Sequence, residues 1–244
     1  MTRTHGTFLT ACALLLSACS SIASQQPPEL SPEHPILGML ETPLSQNTLT
    51  AEALMSARWQ FPLTLAKSGT DQMSVENCNA LLGAYEKDFG PSQPSEFGLV
   101  QANLALCLAT ADIQNLEPSA NDYLPDPLLG PRFPMTAPAE LAVAISDSQR
   151  ERAKESHTWQ DFSALKDYQW RSPYDATYVT EDGAIQRVFL VATGDFNGDD
   201  SRDAILYLES ALEQGSYGTT RYLIVTREEA DGPMRVLKQV WPGE

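Results

Sequence analysis

The stretch richest in chemistry runs from Gly194 to Asp203, Gly-Asp-Phe-Asn-Gly-Asp-Asp-Ser-Arg-Asp. Oxygen-bearing side chains fall at Asp195, Asn197, Asp199, Ser201 and Asp203, every second residue. A tight loop turns such alternate groups inward, toward one hard cation. Ca²⁺ takes six to eight oxygens at roughly 2.3–2.6 Å, from carboxylates, amides and carbonyls. Arg202 is the only cation beside them, so without a metal the carboxylates repel one another. The rival is an acidic turn closed by Asx hydrogen bonds. Other chemistry is sparse. His34 sits in a Pro-rich stretch, and His157 beside Ser156 reads as a helix-start residue. His-Glu-x-x-His, Gly-x-Ser-x-Gly and the P-loop pattern are all absent.

Four cysteines occur, Cys12, Cys19, Cys78 and Cys107. Arg3, then a mostly apolar run from Thr7 to Leu16, then Leu16-Ser17-Ala18-Cys19 has the order of an export signal. The run is too short to span a bilayer core of about 30 Å. Leu16-Ser17-Ala18-Cys19 resembles the lipobox of bacterial lipoproteins. The resemblance implies cleavage before Cys19, a diacylglycerol on its sulfur and acylation of its new amine. Ser20 instead of Asp resembles outer-membrane sorting, with the body facing the periplasm. The alternative is an ordinary secretory signal containing a Cys.

The acidic loop has a resemblance of its own. Gly194 to Leu206 resembles the calcium loop of FG-GAP and VCBS-type repeats, loosely GDFNGDGxxDxxL. That resemblance implies side-chain ligation by Asp195, Asn197, Asp199 and Asp203, and carbonyl ligation by Ser201. The loop departs from an EF-hand, with Asp200 for Gly at position six and Leu206 for Glu at position twelve. Its flanks read as strands. A single copy occurs, so no propeller is implied.

Composition sets outer limits. The 244 residues suit one or two domains, and 42% apolar residues are enough for a core. Thirty-two acidic residues against 16 Lys and Arg give a net charge of -16. Such a chain is repelled by nucleic-acid phosphates and anionic lipid heads, which excludes nucleic acid as a partner and a polybasic membrane contact.

The elements that position these residues follow from periodicity. Val75, Cys78, Leu82, Tyr85 and Phe89 share one helical face, as do Phe97, Val100, Leu104, Cys107 and Ala111. Gly90-Pro91-Ser92-Gln93-Pro94 breaks the chain between them. An antiparallel hairpin sets Cys78 and Cys107 at one height, which predicts a disulfide; the rival is two buried thiols. A helix is expected from Pro138 to about Lys154, with Leu141, Ala144 and Ile145 inward. A short one capped by Thr158 carries Trp159, Phe162 and Leu165. Strands are expected at 176–180, 185–193, 203–211, 217–227 and 234–241, and their short connections make the sheet antiparallel.

The expectation is an α+β fold. A disulfide-tied helical N-terminal part packs on a C-terminal antiparallel meander of about five strands. The divisions are signal 1–18, lipidated Cys19 and tether 19–45, helical part 46–170 and β part 171–244. The leading functional reading is a non-enzymatic, lipid-anchored envelope protein with a calcium-stabilised β-domain serving binding or envelope organisation. Its partners would be the membrane, through the lipid, and an envelope protein or glycan. The alternatives are an Asp/Glu-dependent hydrolase of envelope glycans and a small-ligand or inhibitor-type binding lipoprotein with a groove between helices and sheet.

Overall fold

The computed structural model describes residues 25–67 and 71–242; Cys19, Ser20 and the lipobox-like string lie outside them. In chain order the first elements are β1 (Glu29–Leu30), α1 (Ala51–Ser56), β2 (Leu63–Lys67), β3 (Asp71–Val75) and α2 (Cys78–Tyr85). Then come β4 (Gly90–Pro91), α3 (Phe97–Asp112), α4 (Phe133–Thr136), α5 (Asp147–Glu155) and α6 (Trp159–Phe162). The chain continues through β5 (Leu165–Ser172), β6 (Asp175–Thr180), β7 (Ala184–Gly194), β8 (Asp203–Leu212), β9 (Gly218–Thr226) and β10 (Arg235–Val240).

Strands β5 to β10 pair in sequence order, each antiparallel to the next, and β1 adds a seventh strand against β7. The hairpin between β6 and β7 turns at Gly183, whose φ of 83° suits a residue without a Cβ. Side chains alternate across the pleat. In β8, Ala204, Leu206 and Leu208 enter one buried cluster while Ile205 and Tyr207 enter the other. The first face is covered by α4, α6 and the chain around them, through Leu129, Phe133, Trp159 and Phe162. The second is covered by α1, α2 and α3, through Leu54, Leu81, Leu104 and Cys107. Two covered faces explain why the central strands read as unbroken apolar runs.

From Val100 on, α3 is buried over most of its surface and packs on β8 and β9. At its end the Asp112 carboxylate accepts from the Tyr222 hydroxyl at 2.7 Å and from Lys238 Nζ at 2.6 Å, tying it to β9 and β10. The Cys78–Cys107 disulfide joins α2 to α3, with Cα atoms 5.2 Å apart. Asn77 caps α2 by accepting from the Ala80 N–H at 2.8 Å.

The expected split into a helical N-terminal part and a C-terminal meander does not hold. The α+β fold interleaves helices and strands along the chain. β2, β3 and β4 form a separate antiparallel sheet among the helices. The breaker between α2 and α3 is no plain hairpin loop, because Gly90–Pro91 pairs with β2 and Pro94–Glu96 forms a 3-10 turn. The bridge therefore ties two helices separated by a strand. The meander has six strands, not five. The missed one, β5, is an edge strand with mostly exposed side chains, so it lacks an apolar signature.

The helical expectations shift in the same way. Val75 belongs to β3, and Tyr85, Phe97 and Ile145 are exposed. The helix expected from Pro138 to Lys154 is a 3-10 turn at Ala139–Leu141 followed by α5, because Ser146 forms a capping box with Gln149 and starts the helix late. Leu165 begins β5 instead of ending α6. The stretch expected as tether is folded from Gln25 on. Gln26 bridges to Ser119, β1 joins the sheet, and His34, Ile36 and Leu40 are buried.

Candidate functional site

The 195–203 loop connects the two longest strands of the sheet, β7 and β8. The Asp195 carboxylate is buried and organises it, with Oδ1 accepting from the N–H groups of Gly198 (2.7 Å) and Asp199 (3.3 Å) and Oδ2 from Asp200 (2.8 Å). The turn needs left-handed backbone at Gly198 (φ 78°) and Asp200 (φ 64°). Asp carries that conformation better than most side chains, so the absent glycine at 200 is accommodated. Asp199 Oδ1 accepts from the Ser201 N–H at 2.8 Å, and its Oδ2 from Asn197 Nδ2 at 2.8 Å. Partial burial works against ionisation of Asp199. The hydrogen bonds from Asn197 and Ser201 and the charge of Arg235 outweigh it and hold the carboxyl below its usual value.

Asp203 opens β8 and is fully buried. Its Oδ2 accepts from the Phe196 N–H at 2.8 Å. Oδ1 is buried without a partner in full hydrogen-bond geometry, and the buried hydroxyl of Thr226 acts on the same carboxyl. Burial raises the Asp203 carboxyl to about 6 against the opposing pull of Thr226 and the Phe196 N–H, and the charges of Asp199 and Asp195 add to the rise. Three carboxylates thus feel one another across the loop.

The loop is clamped from outside. A Cβ on Gly194 would lie 3.0 Å from Leu116 Cβ, 3.2 Å from Pro28 Cβ and 3.3 Å from the Glu117 carbonyl. The strap after α3 bridges Glu117 to Asp195 and Asn121 to Ser201, and the Ala120 and Asn121 N–H groups donate to the Asp200 carbonyl at 2.9 Å each. The Ser201 residue lies under that strap. Arg202 turns away from the loop, donating to Thr193, to Gln26 Oε1 at 2.8 Å and to Glu29 Oε2 at 2.8 Å. It fastens β1 to the sheet and does not neutralise the carboxylates of its own loop.

The five expected ligands therefore share one loop but not one point. Among the described residues no three His, Cys, Asp or Glu side chains converge as a metal shell. The expected ligand groups are instead spent on loop hydrogen bonds. The donor chemistry still suits a hard cation, being all oxygen, with a buried oxygen on Asp203 at its base that has no partner in full hydrogen-bond geometry. Compared with protein-family models, curated proteins and solved structures, the chain matches none of them.

Other polar centres were invisible in the sequence. His34 is buried, and burial pushes its imidazole down to about 3. Its Nδ1 accepts from the Ile36 N–H at 3.2 Å and its Nε2 meets Thr110 Oγ1 at 3.3 Å. Arg187 forms a two-pronged pair with Asp175 at 3.0 and 2.7 Å, and burial raises the Glu209 carboxyl in the same neighbourhood. Arg221, inside β9, donates to the carbonyls of Leu141 at 2.7 Å and Ala142 at 3.1 Å. Burial lowers its guanidinium to about 10, with Tyr217 and Glu140 opposing. The available signal for Arg221 was a basic residue at the head of the apolar run Tyr222-Leu223-Ile224-Val225.

Proposed function

We propose that this chain is a lipid-anchored envelope protein that works by binding and not by catalysis, with calcium in the 195–203 loop securing one end of its sheet. The observation that carries the calcium reading is Asp203. Its buried Oδ1 has no partner in full hydrogen-bond geometry, only the Thr226 hydroxyl acting on the same carboxyl, at the base of a loop that also carries three further carboxylates and an amide. A divalent cation there would satisfy that oxygen and offset the mutual repulsion of Asp195, Asp199 and Asp203. Binding requires Asn197 and Asp199, both exposed, to exchange their mutual hydrogen bond for the ion. The anchor rests on Leu16-Ser17-Ala18-Cys19. The non-catalytic reading is supported by His34, which is buried and engaged on both ring nitrogens. Its most direct rival, a glycan hydrolase using Asp175 and Glu209, is opposed by Arg187, which pairs with Asp175 at 2.7 Å and whose charge acts on Glu209.

Two measurements test the reading. Expressed in a bacterium with lipoprotein processing, the chain should float with membranes in a density gradient, and Cys19→Ala should release it or leave its precursor uncut. A wild-type chain recovered free in the periplasm contradicts the anchor. Equilibrium dialysis should find one calcium per chain, with Kd near 10⁻⁴ M on the order of other extracytoplasmic sites. Asp199→Asn, which keeps an acceptor for the Ser201 N–H but exchanges the oxygen facing Asn197 Nδ2 for a donor and removes a charge, should weaken it severely. No binding at millimolar calcium contradicts the metal.

A further inference from the structure

At the end of β8 and β9 opposite the 195–203 loop, a cavity of about 620 Å³ opens between α5, the 139–145 segment and the sheet. That volume lies in the range of small-molecule sites. Part of its wall is alanine, at 139, 142, 144 and 153, and the small side chains leave the space. Ile145, 45% exposed, and the ring of Trp241 add apolar surface.

The charge of the wall runs against that of the molecule. The chain has twice as many acidic as basic residues. Yet this cavity is lined by Arg150, Lys154 and Arg221 against Glu140 as its single carboxylate. Arg150 and Lys154 project from α5 and make only exposed pairs with Asp147 and Glu151 one turn away, which hold them weakly. Arg221 is different. It is 2% exposed, stacks on Trp241 at 4.6 Å, and has a buried Nε without a hydrogen-bond partner. With its amide oxygen facing them, Gln239 accepts from Trp241 Nε1 at 2.6 Å and Arg221 Nη1 at 3.0 Å, so ring and guanidinium are fixed together. Among the described residues no carboxylate forms an ion pair with Arg221. A buried cation whose hydrogen bonds go to carbonyls and an amide, with the Glu140 carboxylate outside ion-pair distance, is costly, and an anion beside it offsets that cost.

We propose that this cavity binds a small organic anion, its acidic headgroup drawn to Arg221 past Arg150 and Lys154, and its apolar body lying on Trp241 and the alanine wall. The headgroup chemistry is that of a carboxylate or a phosphate monoester. The proposal rests on the binding role inferred above but not on calcium, since the two sites lie at opposite ends of the sheet.

The test is isothermal titration of the mature chain in nanodiscs, with empty nanodiscs as the blank, in calcium and again in chelator. The probes share one ring system: 1-naphthaleneacetate, 1-naphthyl phosphate, neutral 1-naphthaleneacetamide and cationic 1-naphthylmethylamine. At least one anion should bind once per chain, the amide at least about tenfold more weakly and the amine not at all. Whichever anion binds more tightly identifies the headgroup. Arg150→Glu with Lys154→Glu, both exposed, should weaken the anion about tenfold while the chain stays folded, the added repulsion with Asp147 and Glu151 lowering the melting temperature only slightly. Ala144→Trp should abolish binding by filling the cavity. Chelator should leave binding intact, which separates this site from the calcium reading. The tighter anion and the neutral amide binding equally well, neither anion binding at about 5 mM, or indifference to both the charge reversal and Ala144→Trp would overturn the proposal.

Discussion

At the scale of single residues, His34 shows how burial selects one protonation state. Because Nδ1 accepts the Ile36 N–H, the proton sits on Nε2 and points at Thr110, whose hydroxyl donates onward to the Leu106 carbonyl at 2.7 Å. A second proton would remove the acceptor that caps the 35–39 turn. The folded value near 3 lies below the ordinary 6.5, so as pH falls the unfolded chain takes up the proton first. The contribution of His34 is therefore fully present above about pH 6.5 and is lost as pH falls toward 3, by about 2 kcal/mol between pH 7 and 5. Urea midpoints measured at both pH values should fall more steeply in the wild type than in His34→Asn, which keeps a cap but does not titrate. Parallel slopes would remove His34 as the cause. Gly194 makes a steric prediction. A side chain there meets Leu116, Pro28 and the Glu117 carbonyl at once. Gly194→Val should cost about 1–3 kcal/mol in denaturant unfolding, and a neutral result would mean that the strap yields freely.

At the scale of elements, the disulfide is the most consequential staple, because α2 and α3 form much of one cover of the sheet. Cys78→Ala with Cys107→Ala opens a closure 29 residues long and should destabilise the fold by roughly 3 kcal/mol. Guanidinium unfolding of the double variant against the oxidised wild type measures it. That pairing was legible because two helical stripes brought both cysteines to matching heights. The strands from β6 to β10 were legible because each is apolar and bounded by turn residues. β1 and β4 were not, since two-residue strands are defined by the partner they meet and carry no periodicity of their own. Gln25 to Pro35 reads as spacer from its Pro and Gln, yet Arg202 and β7 hold it down, and nothing local encodes that contact. The acidic loop was legible as a turn rich in oxygen. Which hydrogen bonds its side chains form depends on the strap from 117 to 121, far away in sequence.

At the scale of the whole molecule, the two covered faces of the sheet leave its two ends as the places where polar groups gather. One end carries the carboxylates of Asp195, Asp199 and Asp203, and the other carries Arg221 with Arg150 and Lys154. A net charge of -16 raises the cost of the first cluster and favours a bound cation there. The central claim is that calcium stabilises this fold through that loop. Thermal unfolding with about 1 mM calcium against chelator tests it most directly. A site with Kd near 10⁻⁴ M adds about 1.4 kcal/mol at that concentration, a rise of roughly 3–5 °C for a domain of this size. Magnesium should give much less, and Asp199→Asn should lose the calcium-dependent rise. Identical melting in calcium and chelator, with Asp199→Asn indistinguishable from wild type in both, would contradict the account and leave 195–203 an acidic turn.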